Sequence, residues 1–238
     1  MLKALLTDID GTITDPSRRL NTGAIEMMRS LVDQGVEVVL ASGNTACFMD
    51  ALCRTIGTKG TFIAENGGVF RVGFPGTLHI KGDQNICKKA LEAVQTFYRD
   101  QGKEIVLLSP TYRFTDLAFA RTVPADEVEK ILRDHKVKVI DTGYAIHLQA
   151  PGIDKGTALE ALAQEIGLLP SDFLAIGDSV NDIPMLRKAG IGVTMANAHP
   201  DTKAVAEFIA EKEYGNGFVE AITKYSSYFR ARKRSTTI

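Results

Sequence analysis

Short apolar runs alternating with helical patterns constrain this chain more than any other feature. Residues 2–7, 36–41, 61–64, 173–176 and 191–195 each read as a strand buried in the interior, because they are apolar, brief and followed by turn chemistry. Helical spacing separates them. Ile25, Met28, Leu31 and Val32 share a face within residues 21–34, which Gly35 closes; residues 45–56 are closed by Gly57. Leu159, Leu162 and Ile166 share another face within residues 154–166, with Asp154 able to cap, and a short helix follows at 183–188. A helix around Val205, a short strand at 208–209 and a helical stretch from Phe218 close the chain. Alternation of this kind predicts an α/β fold, a Rossmann-like parallel sheet flanked by helices.

The middle of the chain departs from that pattern. Residues 86–98 are helical, 104–108 and 117–122 strand-like, 126–134 helical, and 137–141 and 145–149 strand-like. Helix-strand-strand twice over predicts a smaller α+β module at 82–151, inserted into a core formed by 1–81 and 152–238. The turn chemistry of Glu65-Asn66-Gly67-Gly68 predicts a hairpin just before it.

Composition excludes several function classes. Apolar residues make up 45%, charged residues 24%, and the net charge is −1, so nothing draws the chain as a whole to nucleic acid or an anionic membrane. The basic stretch 230–234 reads as a solvated tail. Cys47, Cys53 and Cys87 form no C-x-x-C pair and read as reduced core cysteines; the four histidines show no metal-ligand spacing. No apolar segment has the length of a membrane span, and the chain opens into a strand that already carries acids, so neither a membrane segment nor a signal peptide is expected. The expectation is a cytoplasmic protein acting on a small molecule, with a homodimer left open.

Three strand ends converge on polar chemistry. Residues 2–7 stop at Asp8-Ile9-Asp10-Gly11-Thr12, 36–41 at Ser42-Gly43-Asn44, and 173–176 at Gly177-Asp178-Ser179-Val180-Asn181-Asp182. Side chains alternate along a strand, so Asp8 and Asp10 fall on one side while Ile9 points away. Two crowded acids repel unless a cation, a shared proton or a phosphate-handling site offsets the charge. In open parallel sheets, ligands sit beyond the carboxyl ends of the strands, which is where these segments lie. Singly, each has an ordinary explanation as a turn, a helix cap or, for Lys155, a solvated lysine. Their order and strand context together point to a site.

This set resembles the four motifs of the haloacid dehalogenase superfamily of phosphohydrolases. Asp8-Ile9-Asp10-Gly11-Thr12 is similar to the first, Ser42-Gly43 to the second, Lys155 in Asp154-Lys155-Gly156 to the third, and residues 177–182 to the fourth. Nine residues, 13–21, separate Thr12 from the start of the first helix pattern at Thr22, too few for a cap there, so the insertion at 82–151 resembles the C2B cap of that family. In length, motif spelling and compact cap, the chain most resembles the archaeal-type phosphoglycolate phosphatases. A broader sugar-phosphate phosphatase, a phosphomannomutase-type mutase and a catalytically silent binding protein on the same fold are the alternatives.

The resemblance implies roles that the chemistry of the residues supports. Asp8 is the expected nucleophile, because a carboxylate can attack phosphorus and divide the hydrolysis into two steps. Asp10 is the expected general acid and base, and its backbone carbonyl, rather than its side chain, an implied metal contact. Magnesium suits an all-oxygen site, with Asp8 and Asp178 as direct ligands and Asp182 ligating directly or through water. Ser42 and the amides of Gly43 and Asn44 are expected to hold phosphoryl oxygens, Lys155 to supply a fixed charge, and Asn181 to support Lys155 or the phosphate. Gly11 and Thr12 shape the turn. Arg113, Thr115, Arg121 and His147 are the cap residues weighed as readers of the leaving group, a basic one of them facing the glycolate carboxylate.

Overall fold

A computed structural model describes residues 1–229, and the basic stretch 230–234 lies outside the described residues. The larger sheet holds β1 (Ala4–Asp8), β2 (Glu37–Ala41), β3 (Phe62–Ala64), β4 (Val69–Arg71) and β5 (His79–Ile80) from the first part of the chain. To these the last part adds β9 (Phe173–Ile176), β10 (Ile191–Thr194) and β11 (Phe208–Ile209). Between the two stretches, β6 (Leu117–Ala120), β7 (Lys138–Asp141) and β8 (Ala145–Gln149) form a separate sheet. The helices are α1 (Thr22–Asp33), α2 (Ala46–Ile56), α3 (Gln84–Arg99), α4 (Ala125–Ile131), α5 (Lys155–Glu165), α6 (Ile183–Lys188), α7 (Pro200–Lys203) and α8 (Tyr214–Tyr225). None among the described residues is long and apolar enough to cross a membrane.

The large sheet runs β11-β10-β9-β1-β2-β3-β4-β5, parallel from β11 through β3 and antiparallel for the last two pairs. Burial on both faces explains why its central strands are uninterrupted apolar runs. Leu5, Val38, Leu40, Leu174 and Ile176 join one core with residues of α1, α2 and α8. Ala4, Leu6, Val39, Ala41 and Ala175 join the opposite core with residues of α5 and α6. Two-sided packing makes β1 the middle layer of the domain.

The smaller sheet, β6-β8-β7, is antiparallel and packs one face on α3 and α4. Ile146 and Leu148 of β8 enter that core, so His147 and Gln149 face the other way, towards the larger unit.

Several boundaries differ from expectation for local reasons. Residues 104–108 form no regular strand, although Leu108 donates to the Ala118 carbonyl and Val106 accepts from Ala120, each at 2.8 Å. Ser109, at φ +52°, and Pro110 turn the chain away immediately afterwards, leaving three strands instead of four. The helix expected around Val205 is the four-residue α7, begun by Pro200 and finished before Val205. The last helix starts at Tyr214, earlier than Phe218, because Gly215 and Gly217 weaken its pattern without preventing the turn. The hairpin at residues 65–68 leads into β4, and neither β4 nor β5 is conspicuous in the sequence. Cys53 and Cys87 are buried thiols, whereas Cys47 is exposed, on the face of α2 opposite Met49, Leu52, Cys53 and Ile56.

Candidate active site

Register brings the polar strand ends to one level. Asp8 pairs with Ala41 on one side, and Thr7 pairs with Ile176 on the other, so Ser42 and Gly177 emerge beside Asp8. The first residue of α5 completes the group. Asp154 caps that helix, its carboxylate accepting from the Thr157 amide at 2.7 Å. Lys155 is consequently fully buried, and its ammonium donates to Asp8 Oδ1 at 2.5 Å and to Asp182 Oδ1 at 2.6 Å.

Asp182 is held at both oxygens. Its second oxygen accepts the amides of Asp178 at 3.1 Å and Ser179 at 3.0 Å, so both oxygens already have protein partners. Asp178 accepts from the Thr12 hydroxyl at 3.0 Å. Gly11 lies against it at φ +88°, where a Cβ would both strain the backbone and strike the Asp178 carboxylate.

One oxygen from each of Asp8, Asp178 and Asp182 lies within 4.8 Å of the other two. Three carboxylates against one ammonium leave two negative charges in excess when all are ionised. At that spacing each like-charge pair is worth about 3 to 4 kcal/mol at an effective dielectric of about 20. Burial pushes the Asp8 carboxyl well above the usual range, against the pull of Lys155. Burial, reinforced by Asp182, pushes Asp178 up to about 7. For Lys155, burial acts against the charge, but Asp182 and Asp8 outweigh it and hold the ammonium protonated. The all-oxygen donor set and the excess charge both fit a hard divalent cation.

This predicts a pH dependence for the metal-free chain. The Asp178 carboxyl holds its proton to about 7 in the folded state, against 3.8 normally, so the folded state binds more protons between those values. Stability should be full near pH 4 and fall as pH rises through 7, and a divalent cation should flatten the fall. Thermal melts at pH 5 and 8, with EDTA and then with magnesium, check it. A chelated protein that melts higher at pH 8 contradicts the assignment.

Asp10 lies apart from the acidic cluster. Its carboxylate accepts from Asn44 Nδ2 at 3.0 Å, and the same amide group donates to Ser42 Oγ at 3.0 Å. The Asn44 backbone amide also meets Ser42 Oγ, at 3.1 Å. Of the expected metal residues, then, Asp10 contributes no side-chain oxygen to the cluster. The contact expected of Asp10 is its backbone carbonyl, and of the two roles expected for Asn181, support of Lys155 or of the phosphate, the structure lacks the first. Asn181 does not bond Lys155, but donates to Asn66 Oδ1 at 2.9 Å and accepts from the Ser179 hydroxyl.

A cavity of about 270 Å³ opens between the two units, with Asp8, Asp10 and Ser42 on its floor and Arg113, Tyr144 and His147 above. Arg113 and His147 therefore reach the site, while Thr115 and Arg121 do not line it. Thr115 is buried and donates to Glu65 at 2.7 Å; Arg121 is exposed and pairs with Asp141 at 2.9 Å. Arg113 is heavily committed. Its Nε donates to the Leu108 carbonyl, and Nη1 to the Gly43 carbonyl at 3.2 Å and to Asp116 at 2.7 Å. His147 Nδ1 meets the other Asp116 oxygen at 2.8 Å. Burial disfavours the Asp116 carboxylate, but His147 and Arg113 together hold it below the usual range.

Glu65 joins the units. Its carboxylate accepts the amides of Phe114 and Thr115 as well as the Thr115 hydroxyl. Burial and neighbouring Asp116 push it up. Glu65 and Asn66 both adopt left-handed backbone, at φ +50° and +52°. Their turn was visible in sequence, but their grip on residues 114–116 and Asn181 was not. Asp116, Tyr144 and Arg18 were also missed, and no local signal marked them.

Similarity to known proteins agrees with this geometry. The model of a haloacid dehalogenase-like hydrolase family matches residues 5–115 and 103–222. A phosphoglycolate phosphatase of Methanoculleus marisnigri is 56% identical over 234 residues, 98% of this chain and all of that one. One from Methanospirillum hungatei is 46% identical over 232 residues, with the same coverage. A crystal structure from Thermoplasma acidophilum superposes with a TM-score of 0.84 at 29% identity, covering 95% of this chain and 99% of that one. A sugar phosphatase of haloacid dehalogenase subclass IIB shares the fold, with a TM-score of 0.76 at 20% identity over 94% of this chain and 99% of that one. With its strand-end acids and buried lysine, the chain belongs to the haloacid dehalogenase-like hydrolases and is a phosphatase among them.

Proposed function

We propose that the chain hydrolyses 2-phosphoglycolate to glycolate and inorganic phosphate, using magnesium and a transient phosphoryl group on Asp8. The observation that carries the reading is the Asp8 carboxylate, paired with buried Lys155 and opening onto a small cavity. The names of the relatives at 56% and 46% identity support the substrate.

In the first step an Asp8 oxygen bonds to phosphorus as the ester oxygen leaves, and Asp10 gives that oxygen its proton. In the second, Asp10 takes a proton from water, whose oxygen attacks phosphorus and releases Asp8. Asn44, bonded to both Asp10 and Ser42, orients the acid and the hydroxyl beside it. Ser42 and the amide of Gly43 supply donors for phosphoryl oxygens. Lys155 stays charged between Asp8 and Asp182, which keeps the Asp8 oxygen directed and resists collapse of the acid pair. Magnesium would be held by Asp8, Asp178 and the Asp10 carbonyl, with Asp182 ligating directly or through water, and would offset the negative charge of phosphate and acids. The smaller unit, taken as residues 82–151, covers the site and narrows its access to bulk solvent, leaving room for the attacking water.

A phosphate-release screen with magnesium tests the reading across 2-phosphoglycolate, hexose phosphates, nucleotides and pyridoxal phosphate. The expected outcome is one dominant substrate, 2-phosphoglycolate. Hexose phosphates turned over faster would move the reading to a sugar phosphatase; conversion without free phosphate would make it a mutase.

A further inference from the structure

We infer that Arg18, on the core loop between β1 and α1, reads the carboxylate of the leaving group. The inference deepens the phosphatase reading above and rests on it. Arg18 lines the same cavity as Asp8 and Asp10. Its guanidinium lies over the ring of Tyr144, 4.3 Å from the centroid, so a core residue and a residue of the smaller unit meet at the cavity wall. Tyr144 feels the charges of Asp10 and Asp178, which, after burial, push its hydroxyl up and place the pair within the field of the reacting acids.

Charge balance separates Arg18 from the other arginine of the cavity. Arg113 is neutralised by Asp116 at 2.7 Å and committed to two carbonyls. Arg18 has no carboxylate within ion-pair distance and no hydrogen-bond acceptor for its guanidinium among the described residues. Stacking on an aromatic face leaves the in-plane donors of a guanidinium free, and their fork matches a carboxylate. A carboxylated phosphate ester brings negative charge at both ends. Lys155 and the phosphate-binding donors meet one end, and Arg18 is the uncompensated cation positioned for the other.

The backbone presents Arg18 in advance. Its φ is +61°, a left-handed conformation uncommon for a residue with a side chain. Asp15 fixes the turn, its Oδ1 accepting the amides of Ser17 at 2.8 Å and Arg19 at 3.0 Å, and its carbonyl accepting the Arg18 amide at 2.9 Å. Loop and side chain are therefore organised without substrate.

Steady-state kinetics of wild type, Arg18→Ala and Arg18→Lys on 2-phosphoglycolate and on ethyl phosphate, which lacks the carboxylate, test the inference. Wild type should prefer 2-phosphoglycolate. Arg18→Ala should cut the ratio of kcat/KM values by on the order of 10- to 100-fold, mainly through KM, and Arg18→Lys should recover part of it. If both substrates suffer equally, Arg18 only latches the two units together and the inference fails. It fails too if the ratio is unchanged, or if wild type ignores the carboxylate. Adding 3-phosphoglycerate separates the two levels of argument. A selective loss on this or another carboxylated ester that wild type prefers to 2-phosphoglycolate would uphold Arg18 and overturn only the choice of substrate.

Discussion

Asp8→Asn lowers phosphate release by roughly 10⁴- to 10⁶-fold, the range seen when a nucleophile is removed from an otherwise intact site. Asparagine keeps the shape but cannot bond phosphorus to leave a hydrolysable acyl phosphate. The fold should survive. Lys155 retains Asp182 at 2.6 Å, and the substitution removes one of three crowded charges, a carboxyl that burial already disfavours. Without metal, the variant should melt no lower than wild type. Phosphate release and a thermal melt on one preparation check both halves. Hydrolysis of p-nitrophenyl phosphate at the wild-type rate would remove Asp8 from the mechanism.

Lys155→Met has the larger effect on stability. Methionine has a similar length and no branch, so it can follow the path of the lysine stem between α5 and β1. It leaves Asp8 and Asp182 buried without the ammonium that touches both. Removing one partner of a buried pair typically costs about 3 to 5 kcal/mol, because the remaining charge is uncompensated. Urea denaturation should show that loss, with magnesium returning part of it by binding the folded state. Adding Asp182→Asn to Lys155→Met should recover stability without restoring turnover. A single variant losing less than about 1 kcal/mol would mean that the lysine is not the counter-charge of the acids.

The strand and helix framework was legible because its causes are local. Continuous apolar runs mark strands covered on both faces, and Leu5 and Leu6 do enter opposite cores. Asn21, Asp154, Gly35 and Gly57 set helix ends through single side chains or a single left-handed residue. The strand-like reading of residues 104–108 failed because the competing signal, a left-handed Ser109 before Pro110, acts on the residues after the run. At the site, register alone could deliver Ser42 and Gly177 beside Asp8, since parallel neighbours end at the same level. The expectation that a cap residue meets the glycolate carboxylate looked for the charge on the smaller unit. Arg113 and His147 both reach the cavity from there, each paired with Asp116, and Asp116 carried no recognisable pattern.

By itself, the sequence determined the α/β framework, the order of the strand ends and the identity of the acids and lysine that meet there. Those follow from periodicity and from which residues end each strand, properties that act within a few positions. Only the tertiary structure decided how the two units engage: Glu65 on residues 114–116, Asn66 with Asn181, and Arg18 over Tyr144. Such contacts join residues far apart in the chain, and they form because packed surfaces leave a polar group one reachable partner. Which arginine keeps its charge for a ligand depends on where the nearest carboxylate is packed, and no local pattern encodes that distance.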